Sequence, residues 1–268
     1  MGVIIALANQ KGGVGKTTTA INLGAALARA GRRVLIFDFD PQANSTAGLG
    51  FQGQGTRDKG QEGGGTSYEV VMGLAKASEV VVETTTPGLW LVAATPGLAG
   101  ADVELVPMMA REFRLKRALE DVRSQYDYVL IDCPPSLGLL TVNALAAADE
   151  VIVPVQCEYL ALEGLSQLTS TLELVRRNLN PSLKLRGLVL TMFDARTNLS
   201  QQVADEVRSH FPQTFKAVIP RSVRLSEAPS HGKTIFEYDG SSRAATAYAE
   251  VASEIVNAEG LNTEAQRK

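Results

Sequence analysis

Apolar residues follow two alternating rhythms along this chain. Short runs dominated by apolar residues occur at Val3 to Ala8, Arg33 to Phe37, Tyr128 to Ile131, Val151 to Val155 and Leu185 to Met192. Such runs predict strands buried on both faces, as a parallel sheet requires. Between them the period lengthens. Thr17 to Ala30, Leu137 to Ala147, Leu199 to His210 and Ala244 to Val256 read as helices, and Ala217-Val218-Ile219 as a further short strand. Leu165, Leu168, Leu172, Val175 and Leu179 recur every three or four residues, so the helix that carries them must bury one face. The interleaving predicts an α/β fold with a doubly wound, mostly parallel sheet and helices on both faces, built by residues 1–258 as a single domain.

Two stretches depart from this rhythm. Residues 50–67, GFQGQGTRDKGQEGGGTS, are glycine-rich and polar, and predict a flexible loop over residues 53–66. A polar tail is expected over residues 259–268.

Composition narrows the possible chemistry. The 268 residues are 45% apolar and 21% charged, as in an ordinary globular protein, and no run approaches the roughly 18 apolar residues of a membrane span. Met1-Gly2-Val3 leads straight into a strand rather than a signal peptide, so a cytoplasmic location is expected. Cys133 and Cys157 lie far apart without C-x-x-C spacing, which argues for buried thiols rather than zinc or a disulfide. His210 and His231 are the only histidines, and no G-x-S-x-G elbow is present, so histidine-based and serine-nucleophile catalysis lack candidates.

The stretch NQKGGVGKTTT, residues 9–19, joins the first strand to the first helix. It fits the phosphate-binding pattern G-x-x-x-x-G-K-[ST] except that Gln10 stands where the first glycine belongs. Gly12, Gly13 and Gly15 let backbone N–H groups approach a phosphate chain at the helix N-terminus, with Val14 and Thr18 completing the loop. Lys16 then reaches the β and γ phosphates, and the Thr17 hydroxyl ligates magnesium. A bland glycine turn is the competing reading. Lys11 is a second lysine in a loop that already has one. Beside a triphosphate, with Lys16 and magnesium on the near side, its side chain is free to cross to the phosphates of a facing copy.

Three carboxylates stand at strand ends, where a doubly wound sheet holds its ligand. Asp132, after Ile131, has the form of a second magnesium carboxylate, or of a helix cap. In FDFDPQ, residues 37–42, Asp40 is the candidate for holding the attacking water, while Asp38 either supports the magnesium shell or caps the turn at Pro41.

These motifs, with DFDPQANST and YDYVLIDCPPSLGLLTVNAL, resemble the deviant P-loop ATPases of the ParA/MinD superfamily. PVQCEYLALEGL, TMFDARTNLSQQV and VIPRSVRLSEAPSHGKTI are similar to the chromosomal ParA (Soj) proteins, and the resemblance runs from Val3 to about Ala258. It implies ATP and Mg²⁺ as cofactors. Lys11 matches the lysine that crosses a sandwich dimer, Lys16 the phosphate lysine, Thr17 the magnesium ligand, Asp40 the hydrolytic carboxylate and Asp132 a magnesium carboxylate acting from the second shell. Gly12 matches the glycine that stays small where two loops meet. Thr191-Met192 and Pro220-Arg221 match segments lining the adenine. The loop at 53–66 is longer than the family requires.

Net charge is −3, so any contact with nucleic acid must be a local patch. Between Arg176 and Lys233 ten lysines and arginines face only Asp194, Asp205, Glu206 and Glu227. Such a cluster is either a solvated face or a surface for phosphates. The resemblance favours the second: Arg196 and Arg224 match positions for nonspecific DNA contact, followed by Arg221 and Lys233. It further implies a nucleoid-associated homodimer formed with ATP and a ParB-type centromere-binding protein that stimulates hydrolysis. A MinD-like positioning ATPase on a membrane is the alternative. Against it, the tail EGLNTEAQRK offers no amphipathic apolar face.

Overall fold

A computed structural model describes residues 1–51, 65–159 and 161–265 of the chain. The strands are β1 (Val3–Leu7), β2 (Val34–Asp38), β3 (Val81–Glu83), β4 (Leu89–Val92), β5 (Tyr128–Asp132), β6 (Glu150–Gln156), β7 (Lys184–Phe193) and β8 (Thr214–Pro220). The helices are α1 (Lys16–Arg29), α2 (Asn44–Gly48), α3 (Ser67–Met72), α4 (Ala77–Val80), α5 (Leu98–Glu104), α6 (Arg114–Ala118), α7 (Leu139–Ala147), α8 (Ala161–Asn178), α9 (Asn198–His210), α10 (Val223–Glu227), α11 (Ile235–Asp239) and α12 (Arg243–Ala265). The strands make one sheet in the order β3-β4-β2-β5-β1-β6-β7-β8. All neighbours run parallel except β3 with β4 at the edge. The expected doubly wound sheet is therefore present.

Strand alternation divides the core into two layers. Ile4, Ala6, Leu35 and Phe37 face the layer that includes Leu115, Leu140, Leu165 and Leu168 from α6, α7 and α8. Ile5, Leu7, Val34 and Ile36 face the other, against Leu23 and Leu27 of α1 and Tyr248 and Val251 of α12. Because both faces are covered, the central strands are almost wholly apolar, which made them easy to read. The connections after β1, β2, β5 and β6 all emerge at one edge, and the register pairs Leu7 and Asp38 with Asp132 there.

The structure differs from the sequence reading in several places. The stretch from 67 to 127 holds α3 to α6, β3 and β4, none of which was expected. Strands of three and four residues and helices of four to seven are too short to establish a period. Residues 53–64 of the expected loop lie outside the described residues. Thr66, at its expected end, is instead buried and caps α3 through the Tyr68 N–H and Glu69. Finally, α12 continues through Ala265, so residues 259–265 prolong a helix where a tail was expected. No helix among the described residues is long and apolar enough to cross a membrane.

Gly187 lets β7 sit between its neighbours. A Cβ there would lie 2.5 Å from the carbonyl oxygen of Gln213. Gly187→Ala is expected to cost about 1–3 kcal/mol, lowering Tm by about 2–4 °C per kcal/mol. Thermal unfolding checks this, and an unchanged Tm would contradict it.

Candidate functional site

The loop between β1 and α1 owes its shape to a few fixed points. Gly13 and Gly15 have φ of 73° and 90°, the left-handed region that side chains disfavour. A Cβ at Gly13 would meet nothing within 4 Å, so the loop is open above it. Gly15 caps α1 without a side-chain hydrogen bond, leaving the first N–H groups of a 14-residue helix for an anion. Two side chains, Thr191 of β7 and Asn9 of the loop itself, hold the loop. Thr191 Oγ1 donates to the Val14 carbonyl at 2.8 Å, and Asn9 Nδ2 donates to the Pro154 carbonyl at 2.8 Å while Asn9 Oδ1 accepts from the Lys11 N–H.

Lys16 is 6% exposed, and its Nζ donates to the Lys11 carbonyl at 3.1 Å. Burial lowers its pKa, opposed by the attraction of Asp132 and Asp40. Asp38 and Asp132 are side by side in the β2–β5 register and fully buried. Burial and the neighbouring Asp132 push Asp38 up to about 7, although Thr46 and the Asp40 N–H stabilise its charge. Burial pushes Asp132 up to about 6, with the hydroxyls of Ser45 and Thr17 acting in the opposite direction. Neither carboxylate is fully balanced by protein cations.

The oxygens of these carboxylates have different engagements. Asp38 Oδ2 accepts from the Thr46 N–H at 2.8 Å and the Thr46 hydroxyl at 2.7 Å, and Oδ1 accepts from the Asp40 N–H at 3.3 Å. It ties down the turn into α2. Asp132 Oδ2 accepts from Ser45 Oγ at 2.7 Å, but its buried Oδ1 has no partner. An unpaired buried carboxylate oxygen beside Thr17 fits a hydrated divalent cation. Asp40 is 5% exposed, and its Oδ1 accepts from the Gln42 N–H.

Lys11 points away from this cluster. Its Nζ lies 3.9 Å from Glu158 Oε2, beyond the end of β6, and both side chains remain partly exposed. Arg221 approaches the other oxygen of Glu158 at 3.5 Å. Glu158 thus links two predicted cations, a role that sequence reasoning missed, as it missed Ser45 and Thr46. FDFDPQANST did contain the last two as hydroxyls following the carboxylates.

A cavity of about 660 Å³ opens beside the start of α1. Its walls bring Gly15, Thr17 and Thr18 together with Met192, Pro220 and Arg221. Met192 has φ of 53°, a strained conformation for a non-glycine residue, at the end of β7 where the register with β8 shifts. The cysteines take no part: burial raises both thiols, Cys157 to about 11, so neither is reactive.

The predicted DNA-facing arginines are exposed and paired. Asp194 accepts two hydrogen bonds from the Arg196 guanidinium, at 2.9 and 2.8 Å, which hold its carboxyl down at about 2. Arg224 pairs with Glu227 at 2.9 Å and with Asp239 at 3.7 Å. Arg196 and Arg221 line one pocket, whereas Arg224 and Lys233 do not line it.

A glycine cradle at a helix N-terminus, a buried lysine and carboxylates at the carboxyl edge of a parallel sheet define a P-loop nucleotide-binding protein. An AAA domain model matches residues 2–185. The chain is 55% identical over 256 residues to the sporulation initiation inhibitor protein Soj of Bacillus subtilis, covering 95% of this chain and 98% of that protein. It is 52% identical to the chromosome partitioning protein ParA of Myxococcus xanthus, covering 96% and 88%. The structure is similar to a cobyrinic acid a,c-diamide synthase of Mycobacterium smegmatis with bound ATP analogue and magnesium. Its TM-score is 0.81 and its identity 40%, over 96% of this chain and 95% of that one. The chain belongs to the Soj/ParA family of chromosome-partitioning ATPases.

The raised carboxylates give a pH dependence of definite sign. With folded pKa values above unfolded ones, their contribution to stability is fully present below about pH 4 and is lost as pH rises through about 6 to 7. Asp132→Asn keeps an oxygen for Ser45 and removes one charge of the pair. Without nucleotide or magnesium, its Tm is expected to rise relative to the unsubstituted protein by several degrees between pH 5 and pH 8. A Tm difference independent of pH would contradict this assignment.

Proposed function

We propose that this chain is a nucleotide-switched DNA-partition ATPase. ATP binding joins two copies face to face, and the dimer holds duplex DNA without reading its sequence. A ParB-type centromere-binding partner then stimulates hydrolysis and releases the dimer. The observation that carries this reading is the direction of Lys11. Lys16 occupies the near side of the phosphate cradle, while the Lys11 ammonium leaves the loop and meets only a partly exposed carboxylate. A weak surface pair of this kind is readily exchanged for the phosphates of a facing copy.

The remaining roles follow from position. The N–H groups from Gly13 to Thr18 and the Lys16 ammonium bind the phosphates, and Met192, Pro220 and Arg221 enclose the base. Thr17 and Asp132 would hold the magnesium, which would supply neutralisation of phosphate charge when bound. Asp38 fixes the turn that carries Asp40, and Asp40 orients the attacking water. Names of relatives support the same reading: a chromosome partitioning protein ParA at 52% identity, and a structure at 40% that holds an ATP analogue and magnesium.

Arg196, Arg221, Arg224 and Lys233 meet the DNA backbone. Two weak patches on one dimer act as one stronger site, so dimerisation switches DNA affinity. The test is binding to a random-sequence duplex with ADP and then ATP at two salt concentrations. Asp40→Ala is expected to bind tightly only with ATP and to lose affinity steeply with salt. Lys11→Ala is expected to lose binding together with the dimer, and Arg224→Ala to keep the dimer but bind about tenfold more weakly. Equal binding by all three variants would overturn the proposal.

A further inference from the structure

The two side chains that fasten the phosphate loop fasten different halves of it. Thr191 Oγ1 donates to the Val14 carbonyl, next to Gly15 and the helix N–H groups that face a phosphate chain. Asn9 acts at the other end, before the glycines. It is buried, and both ends of its amide are engaged.

The place of Asn9 follows from a proline. The backbone ladder between β1 and β6 runs as far as the Ala8 N–H, which donates to the Ile152 carbonyl at 3.2 Å. Pro154, two residues further along β6, has no N–H to give, so the ladder stops there without leaving a buried donor unpaired. The Asn9 side chain supplies the next rung in place of the backbone, its Nδ2 donating to the Pro154 carbonyl at 2.8 Å. The main chain can therefore leave the sheet at Asn9 while the side chain stays attached to it. Oδ1 of the same amide accepts from the Lys11 N–H at 3.0 Å, closing an Asx turn. From inside the loop, Lys16 Nζ donates to the Lys11 carbonyl at 3.1 Å. Both backbone polar groups of Lys11 are thus held within the loop, and its side chain leaves outward, toward Glu158.

We infer that Asn9 is a positioning residue for the association of two copies: it aims Lys11 out of the loop, so that the ammonium is directed at a facing copy before the copies meet. The inference rests on the reading above in which Lys11 crosses between copies, and adds the residue that directs it. A long side chain launched from a fixed backbone loses less freedom on binding than one launched from a loose turn. Without the Asn9 amide, the Lys11 N–H and the Pro154 carbonyl both lose their partner, and the launching turn loosens. The half of the loop that faces the phosphates keeps its own anchor in Thr191. The effect of losing Asn9 therefore falls on the dimer rather than on nucleotide affinity.

Sedimentation of the full chain over a concentration series, with magnesium and a non-hydrolysable ATP analogue, gives the dissociation constant of the dimer. Fluorescence of a labelled ADP gives the nucleotide affinity of the single copy. Asn9→Ala is expected to raise the dimer Kd about tenfold and to change ADP affinity by less than about threefold. Asn9→Ser keeps an acceptor for the Lys11 N–H but is too short to reach Pro154, and is expected to recover part of the loss. If the unsubstituted chain stays at one mass with the analogue, the dimer reading fails and this inference with it. If it dimerises and Asn9→Ala dimerises as tightly, the dimer reading stands and the Asn9 assignment is overturned. Equal losses of ADP affinity and dimerisation in Asn9→Ala would also overturn it, because Asn9 would then only shape the cradle. So would an Asn9→Ser protein that dimerises no better than Asn9→Ala, since the bond to Lys11 would then direct nothing.

Discussion

Two carboxylates and an ammonium lie out of water together at the carboxyl edge of a parallel sheet. Asp38 and Asp132 are neighbours because β2 and β5 pair in register, and Lys16 faces Asp132 because α1 begins where the loop ends. Burying like charges side by side is unfavourable, and Lys16, Ser45 and Thr46 compensate for it only in part. The surrounding structure follows from that residual imbalance. The Gly15 cap leaves helix N–H groups open, and the buried Asp132 Oδ1 lacks a partner. Each of these features is costly alone and is relieved by a phosphate chain carrying a divalent cation.

The two lysines of the loop divide between the two sides of that cradle. Lys16 is desolvated and hydrogen-bonded inside, whereas Lys11 is solvated and held outside by Glu158. Glu158 also engages Arg221, which lines the cavity beside the loop. One acidic residue after β6 therefore connects the outward lysine with the wall of the nucleotide cavity.

Legibility in the sequence followed burial and period. The strands β1, β2, β5, β6 and β7 could be read because both faces are covered and their residues are continuously apolar. The phosphate loop was legible because backbone geometry forces glycine into fixed positions. Residues 67–127 were not, because their elements are too short for a repeating pattern to emerge. In the candidate site, residue types were visible but orientations were not. Nothing in FDFDPQ says that Asp38 turns both oxygens toward Thr46 and the Asp40 N–H, and nothing in PVQCEYL says that Glu158 meets Lys11.

The central claim is that bound ATP turns Lys11 from a partner of Glu158 into a bridge between two copies. Sedimentation of the purified chain with magnesium and either ADP or a non-hydrolysable ATP analogue tests it most directly. The account predicts a doubling of mass with the analogue alone, and loss of that doubling when Lys11 is replaced by alanine. The same mass in both nucleotide states, or an analogue-dependent dimer that forms equally well without the Lys11 side chain, would contradict it.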